Sequence, residues 1–223
     1  MAVQAAARRA ADLGARVVRG AGVESIEPGA DAVLVRAADR SWRFRRVVVC
    51  AGAWSDRFVP VAGGGPARIV LAWFSARDPG AFGPERFPVF VRESDGVHLY
   101  GAPSTDGVSV KVAGPIRPHP TADPETMTRL VSADERVELG RAVARFLPAL
   151  DPDVVRAGAY PDYFTASTMP VLGPLAAHPR VVVATGFLGK GFKYAPAVGQ
   201  AVAEFVTRGD SDLLREAPVE LPG

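Results

Sequence analysis

Two uninterrupted apolar runs, one in each terminal third of the chain, constrain the fold more than any other feature. Val47-Val48-Val49-Cys50 closes the segment Trp42–Cys50, and a second run covers Arg180–Ala184. Runs this short and this apolar suit strands covered on both faces, as in an α/β sheet, rather than half-solvated strands that alternate. Each run breaks into a turn of small residues. Ala51-Gly52-Ala53-Trp54-Ser55 follows the first, and Thr185-Gly186-Phe187-Leu188-Gly189-Lys190-Gly191-Phe192-Lys193 follows the second. In open α/β sheets the crevice at the carboxyl ends of such strands is where ligands bind.

The rest of the chain arranges itself around these runs. An Ala-rich helix is predicted over residues 2–13, with Gly14 just past its end. Strand-like runs follow at Ala15–Arg19, Val23–Ile26 and Ala32–Arg36. Ala62-Gly63-Gly64-Gly65-Pro66 reads as a linker. Beyond it, β-rich runs at Arg68–Ser75, Pro88–Arg92, Val97–Tyr100 and Val108–Val112 have no helix between them, which predicts an antiparallel sheet. Pro115–Pro124 is a Pro-rich loop. Ser132 and Glu135 form an S-x-x-E capping box, and Leu139, Val143, Phe146, Leu147 and Leu150 make the core-facing stripe of the helix it opens. A final helix has Pro196 near its start, Val198, Ala201, Val202, Phe205 and Val206 on one face, and Gly209 at its end. The expected fold is a mixed α/β (α+β) chain. Residues 1–62 and 156–223 belong to one α/β unit, and residues 63–155 form an inserted antiparallel sheet.

Charge and cysteine usage remove several function classes. The 26 basic and 24 acidic residues give a formal charge of +2, and no run of five like charges occurs, so neither nucleic acid nor a membrane surface is an expected partner. The single cysteine, Cys50, allows no disulfide framework and suits a reducing compartment. At the end of a buried strand it reads as a structural thiol. No stretch has the length and apolarity of a membrane span or signal peptide, so a cytoplasmic location is expected. His98, His119 and His178 lack metal-ligand spacing, so no metal is expected. Neither G-x-S-x-G nor a P-loop is present.

The strongest chemical signal is the glycine-rich turn. Gly186, Gly189 and Gly191 lie between a buried strand and a helix start, where glycine permits positive φ and close approach of a ligand. Free N–H groups at the helix start favour an anion or a developing negative charge. Lys190 and Lys193 add to that polarity. Only three of the 26 basic residues are lysine, and the third is Lys111. Lysine is a compact point charge, unlike arginine. In Val108-Ser109-Val110-Lys111-Val112 alternation points Lys111 opposite to the valines. It is either an outward lysine or the lining of a pocket.

GFLGKGFKYAPAVGQAVAEF, RRVVVCAGAWSDRF and the strand holding Lys111 resemble the FAD-dependent amine oxidases of the D-amino acid oxidase superfamily, of the monomeric sarcosine oxidase and N-methyltryptophan oxidase type. The resemblance runs in order over essentially the whole chain. It implies a partial FAD-binding Rossmann-like domain with an inserted antiparallel substrate domain, and oxidation of the C–N bond of a small amine or amino acid. It places Gly186, Phe187, Gly189, Lys190 and Gly191 under the flavin, with Ala51, Gly52 and Trp54 near the dinucleotide. It pairs Lys193 with a substrate carboxylate, sets Phe164 at the substrate, and puts Lys111 by the flavin ring, where it assists reaction with oxygen.

The departures from the family pattern carry their own expectations. Asp162 stands where these oxidases commonly have the cysteine that binds flavin covalently, so FAD is expected to be non-covalent. Lys190 replaces a usual histidine, and Phe164 replaces a hydroxylated aromatic, which leaves the substrate open. The family opens with a G-x-G-x-x-G turn that holds the FAD pyrophosphate. Gly20-Ala21-Gly22 does not supply it, and Met1 falls near the middle of a full-length member. The chain is therefore read as a C-terminal portion that alone binds FAD weakly or not at all. One alternative is a split oxidase whose second chain carries the G-x-G-x-x-G half and meets exposed edges of the Val47–Cys50 and Arg180–Ala184 strands. Another is a flavin-free carboxylate-binding module.

Overall fold

The Ala-rich run folds as α1 (Ala2–Asp12), and Gly14, at φ 93, ends it by donating its N–H to the Ala11 carbonyl at 2.9 Å. The computed structural model describes residues 2–114, 116–216 and 219–222; Met1, and Pro115 at the head of the Pro-rich loop, lie outside the described residues. Ala15–Arg19 is not a strand. Val17 and Val18 are 46% and 42% exposed, and none of the described strands pairs with the segment. Strand propensity without a ladder to join does not make a strand.

β1 (Val23–Pro28), β2 (Val33–Ala37) and β3 (Arg40–Phe44) form an antiparallel meander. The Trp42–Cys50 run is split. Its first part ends β3, and its apolar part becomes β4 (Val47–Val49) in a different sheet. The break falls at Arg45-Arg46, where Arg46 donates to the Val206 carbonyl.

An antiparallel sheet fills the middle of the chain. It comprises β5 (Gly65–Ala76), β6 (Phe90–Ser94), β7 (Val97–Ala102), β8 (Ser109–Ala113), the two-residue β9 (His119–Pro120) and β10 (Leu150–Phe164), in the order β10-β5-β8-β7-β6 with β9 against β5. The Gly-rich linker is shorter than expected. Gly65 and Pro66 already pair with Phe164 and Tyr163, so what remains is a turn in which the Gly64 N–H reaches the Val61 carbonyl at 2.9 Å. One face of the sheet carries Val70, Ala72, Phe74, Val110 and Val112, all buried against Leu139, Val143 and Phe146 of α2 (Ala133–Phe146). The opposite face is half-buried at Ile69, Leu71 and Trp73. That alternation marks a sheet covered on one side only. The capping box forms as the sequence predicts. The Glu135 N–H donates to Ser132 Oγ at 3.2 Å, and the Ser132 N–H donates to Glu135 Oε2 at 2.8 Å.

The chain then returns to the first texture. β11 (Val171–Pro174) lies antiparallel to β12 (Val181–Thr185), and β4 lies parallel to β12 on its other side. All five residues of β12 are buried, whereas β4, at the sheet edge, buries only Val49 fully. Two expectations are corrected here: β12 has neighbours on both sides and offers no open edge, and Cys50 is exposed rather than buried. The final helix, α3 (Gly191–Arg208), starts five residues before Pro196, and Gly209 ends it at φ 85. A short α4 (Asp212–Glu216) follows. No helix among the described residues is long and apolar enough to cross a membrane.

Candidate active site

Because β4 and β12 run parallel, with Val49 beside Val183, the turns that follow them emerge side by side. The Ala51–Ser55 turn is a 3-10 helix spanning Gly52–Arg57. A buried latch joins it to β12. Ser55, fully buried, donates to the Gly52 carbonyl at 2.7 Å, and its Oγ lies 2.7 Å from Thr185 Oγ1. Neither hydroxyl stands out in sequence, since only the pairing of the two strands brings them together. Trp54 turns toward the loop before α2, where its Nε1 donates to Glu125 at 2.8 Å, and Arg57 pairs with Asp123 at 3.1 Å.

The glycine-rich turn uses its glycines for conformation and for space. Gly186 (φ 72) and Gly189 (φ 73) are left-handed, and so is Leu188 between them (φ 49). A Cβ on Gly186 would lie 2.6 Å from Thr165 Cγ2. The Lys190 N–H closes the turn onto the Phe187 carbonyl at 2.8 Å. At Gly191 the backbone enters α3 with Lys190 as N-cap. That position makes no side-chain capping bond, and the first helical turn holds no acidic residue. Lys190 and Lys193 are both exposed at this end. A helix start normally favours negative side chains. Two cations and no cap there leave its N–H groups available to an anion.

The half-buried sheet face supplies the second wall. Val110 and Val112 face the core, so Lys111 points to the other side, where it is half-buried opposite Trp73 on β5 and Ala102 on β7. Register places Tyr100 of β7, and Arg156, Gly158, Tyr160, Asp162 and Phe164 of β10, on this same face. The Arg156 guanidinium stacks 4.0 Å over the Trp73 ring. Lys111 and Phe164 therefore lie on the same face of the sheet, opposite Trp73 and Gly65 and eight residues apart along β5.

Asp162 connects the two walls. Its Oδ2 is buried without a hydrogen-bond partner among the described residues, 3.5 Å from where a Cβ on Gly189 would sit. Burial pushes its carboxyl pKa up, against the opposing effect of the Tyr163 and Gly189 N–H groups. The Tyr100 phenol is raised as well, by burial first and then by the charge of Asp162. A carboxyl with a higher pKa folded than unfolded holds its proton more tightly in the fold. Stability is then lost as pH rises from the ordinary value of 3.8 through the folded one. Asp162→Asn is expected to remove that decline and to raise the melting midpoint at neutral pH. Melting curves across the acid range check this, and an unchanged pH slope would refute it.

The FAD dependent oxidoreductase (DAO) family matches residues 1–205. The chain belongs to that family. A monomeric sarcosine oxidase from Streptomyces avermitilis is 35% identical over 191 residues, covering 82% of this chain and 49% of that protein. An N-methyl-L-tryptophan oxidase from Escherichia coli is 28% identical over 205 residues, covering 85% and 51%. Among solved structures, L-proline dehydrogenase from P. horikoshii superposes with a TM-score of 0.80 at 22% identity, covering 95% of this chain and 56% of its own. The amino acid oxidase NikD gives 0.75 at 21%, covering 94% and 57%. These structures share the mixed α/β fold described above. The chain spans about half the length of the curated relatives it matches.

The residues present fit FAD, the family's cofactor, in part. At the isoalloxazine end they fit: an uncapped helix start with two lysines, the orphaned Asp162 oxygen, and a half-buried face carrying Leu71 and Trp73. The pyrophosphate end is different, because the 223 residues contain no G-x-G-x-x-G turn.

Proposed function

We propose that this chain supplies the substrate-side half of an FAD-dependent site that oxidises the C–N bond of an amino acid or secondary amine. The names of the relatives, monomeric sarcosine oxidase and N-methyl-L-tryptophan oxidase, support the substrate class. The observation that carries the reading is the uncapped, lysine-bearing start of α3 beside an open sheet face that presents Lys111 and Phe164. Bound FAD would supply the hydride acceptor for oxidation of the carbon beside the nitrogen, leaving an imine for water to hydrolyse. Asp162 offers no thiol for a covalent link, so the cofactor is held non-covalently. The Gly186, Phe187, Gly189, Lys190 and Gly191 turn, with the helix start it leads into, would stabilise negative charge on the bound flavin. Ala51, Gly52 and Trp54 would line the dinucleotide. Lys193 binds the substrate carboxylate and orients the reacting carbon, Phe164 walls the substrate, and Lys111 holds a fixed positive charge for the reaction with oxygen.

The expected boundary at 155/156 falls inside β10, so on this reading the middle sheet through Phe164 forms the substrate side, and residues 1–62 with those after β10 the cofactor side. The lone cysteine suits a cytoplasmic location. The pyrophosphate grip would be supplied by a G-x-G-x-x-G half that these 223 residues do not contain.

Lys193 gives the direct test. In the chain assembled with such a half, Lys193→Ala is expected to raise KM for an N-methyl amino acid by about 10–100-fold, the loss of one charge-assisted hydrogen bond. Lys193→Arg should restore part of it. Steady-state kinetics with an amine lacking the carboxylate should show no such penalty. An unchanged KM in Lys193→Ala removes Lys193 from the carboxylate site.

A further inference from the structure

Tyr163, near the end of β10, is the bulkiest fully buried side chain among the described residues, at 1% exposure. By strand alternation its ring points away from the face that carries Asp162 and Phe164. Its hydroxyl donates to Asp56 Oδ1 in the Gly52–Arg57 turn, and the Val61 N–H reaches the same phenol oxygen. A Cβ on Gly64 would lie 3.0 Å from Tyr163 Cε1 and 3.1 Å from its hydroxyl, so that glycine leaves the phenol its room. Burial first, and then the bond to Asp56 and its charge, pushes the phenol pKa up. The hydroxyl therefore keeps its proton, and its role as donor, well above neutral pH.

The backbone of the same residue reaches the other turn. The Tyr163 N–H donates to Asp162 Oδ1 at 2.8 Å, and the Asp162 carboxylate also takes the Gly189 N–H. Asp56, for its part, follows Ser55, whose Oγ lies 2.7 Å from Thr185 Oγ1. Thr185 leads along the chain to Gly189, so the contacts close a ring: Thr185, Ser55, Asp56, Tyr163, Asp162, Gly189. The ring spans two sheets that share no ladder, since β10 belongs to the middle sheet and β12 to the parallel pair. A crevice walled by separate sheets has no strand register to set its width, and a closed ring of bonds supplies that setting. We infer that Tyr163 is a positioning residue: its phenol on Asp56 and its amide on Asp162 hold the Gly52–Arg57 and Gly186–Gly191 turns at one spacing against the middle sheet. That this spacing serves a bound dinucleotide rests on the flavin-site reading above. Tyr163 acts through its neighbours, and such support matters because a misplacement of about 1 Å can cost a factor of about 100 in rate.

Hydrogen exchange on the purified full chain, resolved by residue, tests the ring without any cofactor. The Trp54 and Phe58 amides close the first turn onto the Ala51 and Ser55 carbonyls, and the Lys190 amide closes the second onto Phe187. Tyr163→Phe keeps the ring and removes the donor. It is expected to speed exchange at all three amides by about tenfold, the loss of one hydrogen bond of ordinary strength, while α2 and β8 keep their rates. Asp56 is only half-buried, so Asp56→Ala tests the same bond without disturbing the core. It should match Tyr163→Phe, whereas Asp56→Asn keeps an acceptor for the phenol and should restore wild-type rates. Unchanged exchange at Trp54 and Phe58, a loosening that leaves Lys190 unmoved, or one that spreads equally to α2 and β8 overturns the inference. So does an Asp56→Asn variant as loose as Asp56→Ala. In the chain assembled with a G-x-G-x-x-G half, fluorescence titration with FAD should show about tenfold weaker binding for Tyr163→Phe. Both turns loosened with FAD affinity unchanged supports the positioning role and sinks the placement of these turns at the cofactor instead.

Discussion

Under the proposed flavin-site reading, replacing Lys111 with methionine in the chain assembled with a G-x-G-x-x-G half is expected to cut oxygen consumption by about 10²–10³-fold, the scale on which removing one preorganised electrostatic stabiliser acts. Turnover with an artificial electron acceptor should stay nearly unchanged. The contrast follows from where the side chain stands. Lys111 is held on a central strand between β5 and β7, opposite Trp73 and Ala102, on the face turned away from α2. Half-burial strengthens its field relative to water, and the anion formed when dioxygen takes an electron is the charge a fixed cation favours. Methionine keeps the length and the apolar stem, so the strand pairing is undisturbed. If oxygen and the artificial acceptor slow in parallel, Lys111 serves substrate binding or structure and its role with oxygen is wrong.

The parts of this picture legible in sequence are those set by local pattern. The apolar run at Val181–Ala184 buries completely, the S-x-x-E box caps α2, and alternation along β8 separates Lys111 from Val110 and Val112. The glycine turn is legible because left-handed φ at Gly186 and Gly189 is a local demand. What sequence missed depends on partners far away in the chain. Ala15–Arg19 has the composition of a strand but finds no ladder. Arg45-Arg46 breaks a run that otherwise reads as continuous, because the two halves belong to different sheets. Cys50 reads as buried and is exposed, since β4 is an edge strand and edge position cannot be seen in Val47-Val48-Val49. The Ser55–Thr185 latch and the orphaned Asp162 oxygen each exist only once strands distant in sequence lie side by side. Asp162 was visible as a departure from the family's cysteine; its placement against Gly189 was not.

Arg68→Met is expected to lower folding stability by about 3 kcal/mol, the lower end for breaking a buried ion pair by removing one partner, because Glu135 sits near the rim of the fold. Arg68, the fourth residue of β5, is 8% exposed. Its guanidinium donates to both Glu135 oxygens, at 2.5 and 3.2 Å, and to the Thr128 and Leu130 carbonyls at 3.1 and 2.6 Å. Methionine replaces the stem but leaves two carbonyls and a carboxylate without their donor. The same Glu135 closes the capping box of α2, so the damage spreads to the helix that covers the sheet. The pH dependence identifies the cause. The Arg68 hydrogen bond, foremost among several contacts, holds the Glu135 carboxyl below its ordinary value of 4.5. A depressed acid contributes stability that is present above the unfolded value and lost as pH falls through the folded one. Wild-type protein should therefore lose stability on acidification below 4.5, and Arg68→Met should show a shallower acid limb. Denaturant titrations of Arg68→Met, Glu135→Gln and the double variant measure the coupling. Additive losses would mean that the pair does not act as a unit. The consequence reaches the site, because the loop Arg68 anchors at Thr128 and Leu130 continues from the residues that hold Trp54 and Arg57. Loosening it should raise hydrogen exchange in the Gly52–Arg57 turn before global unfolding, linking an ion pair under the sheet to the wall of the crevice.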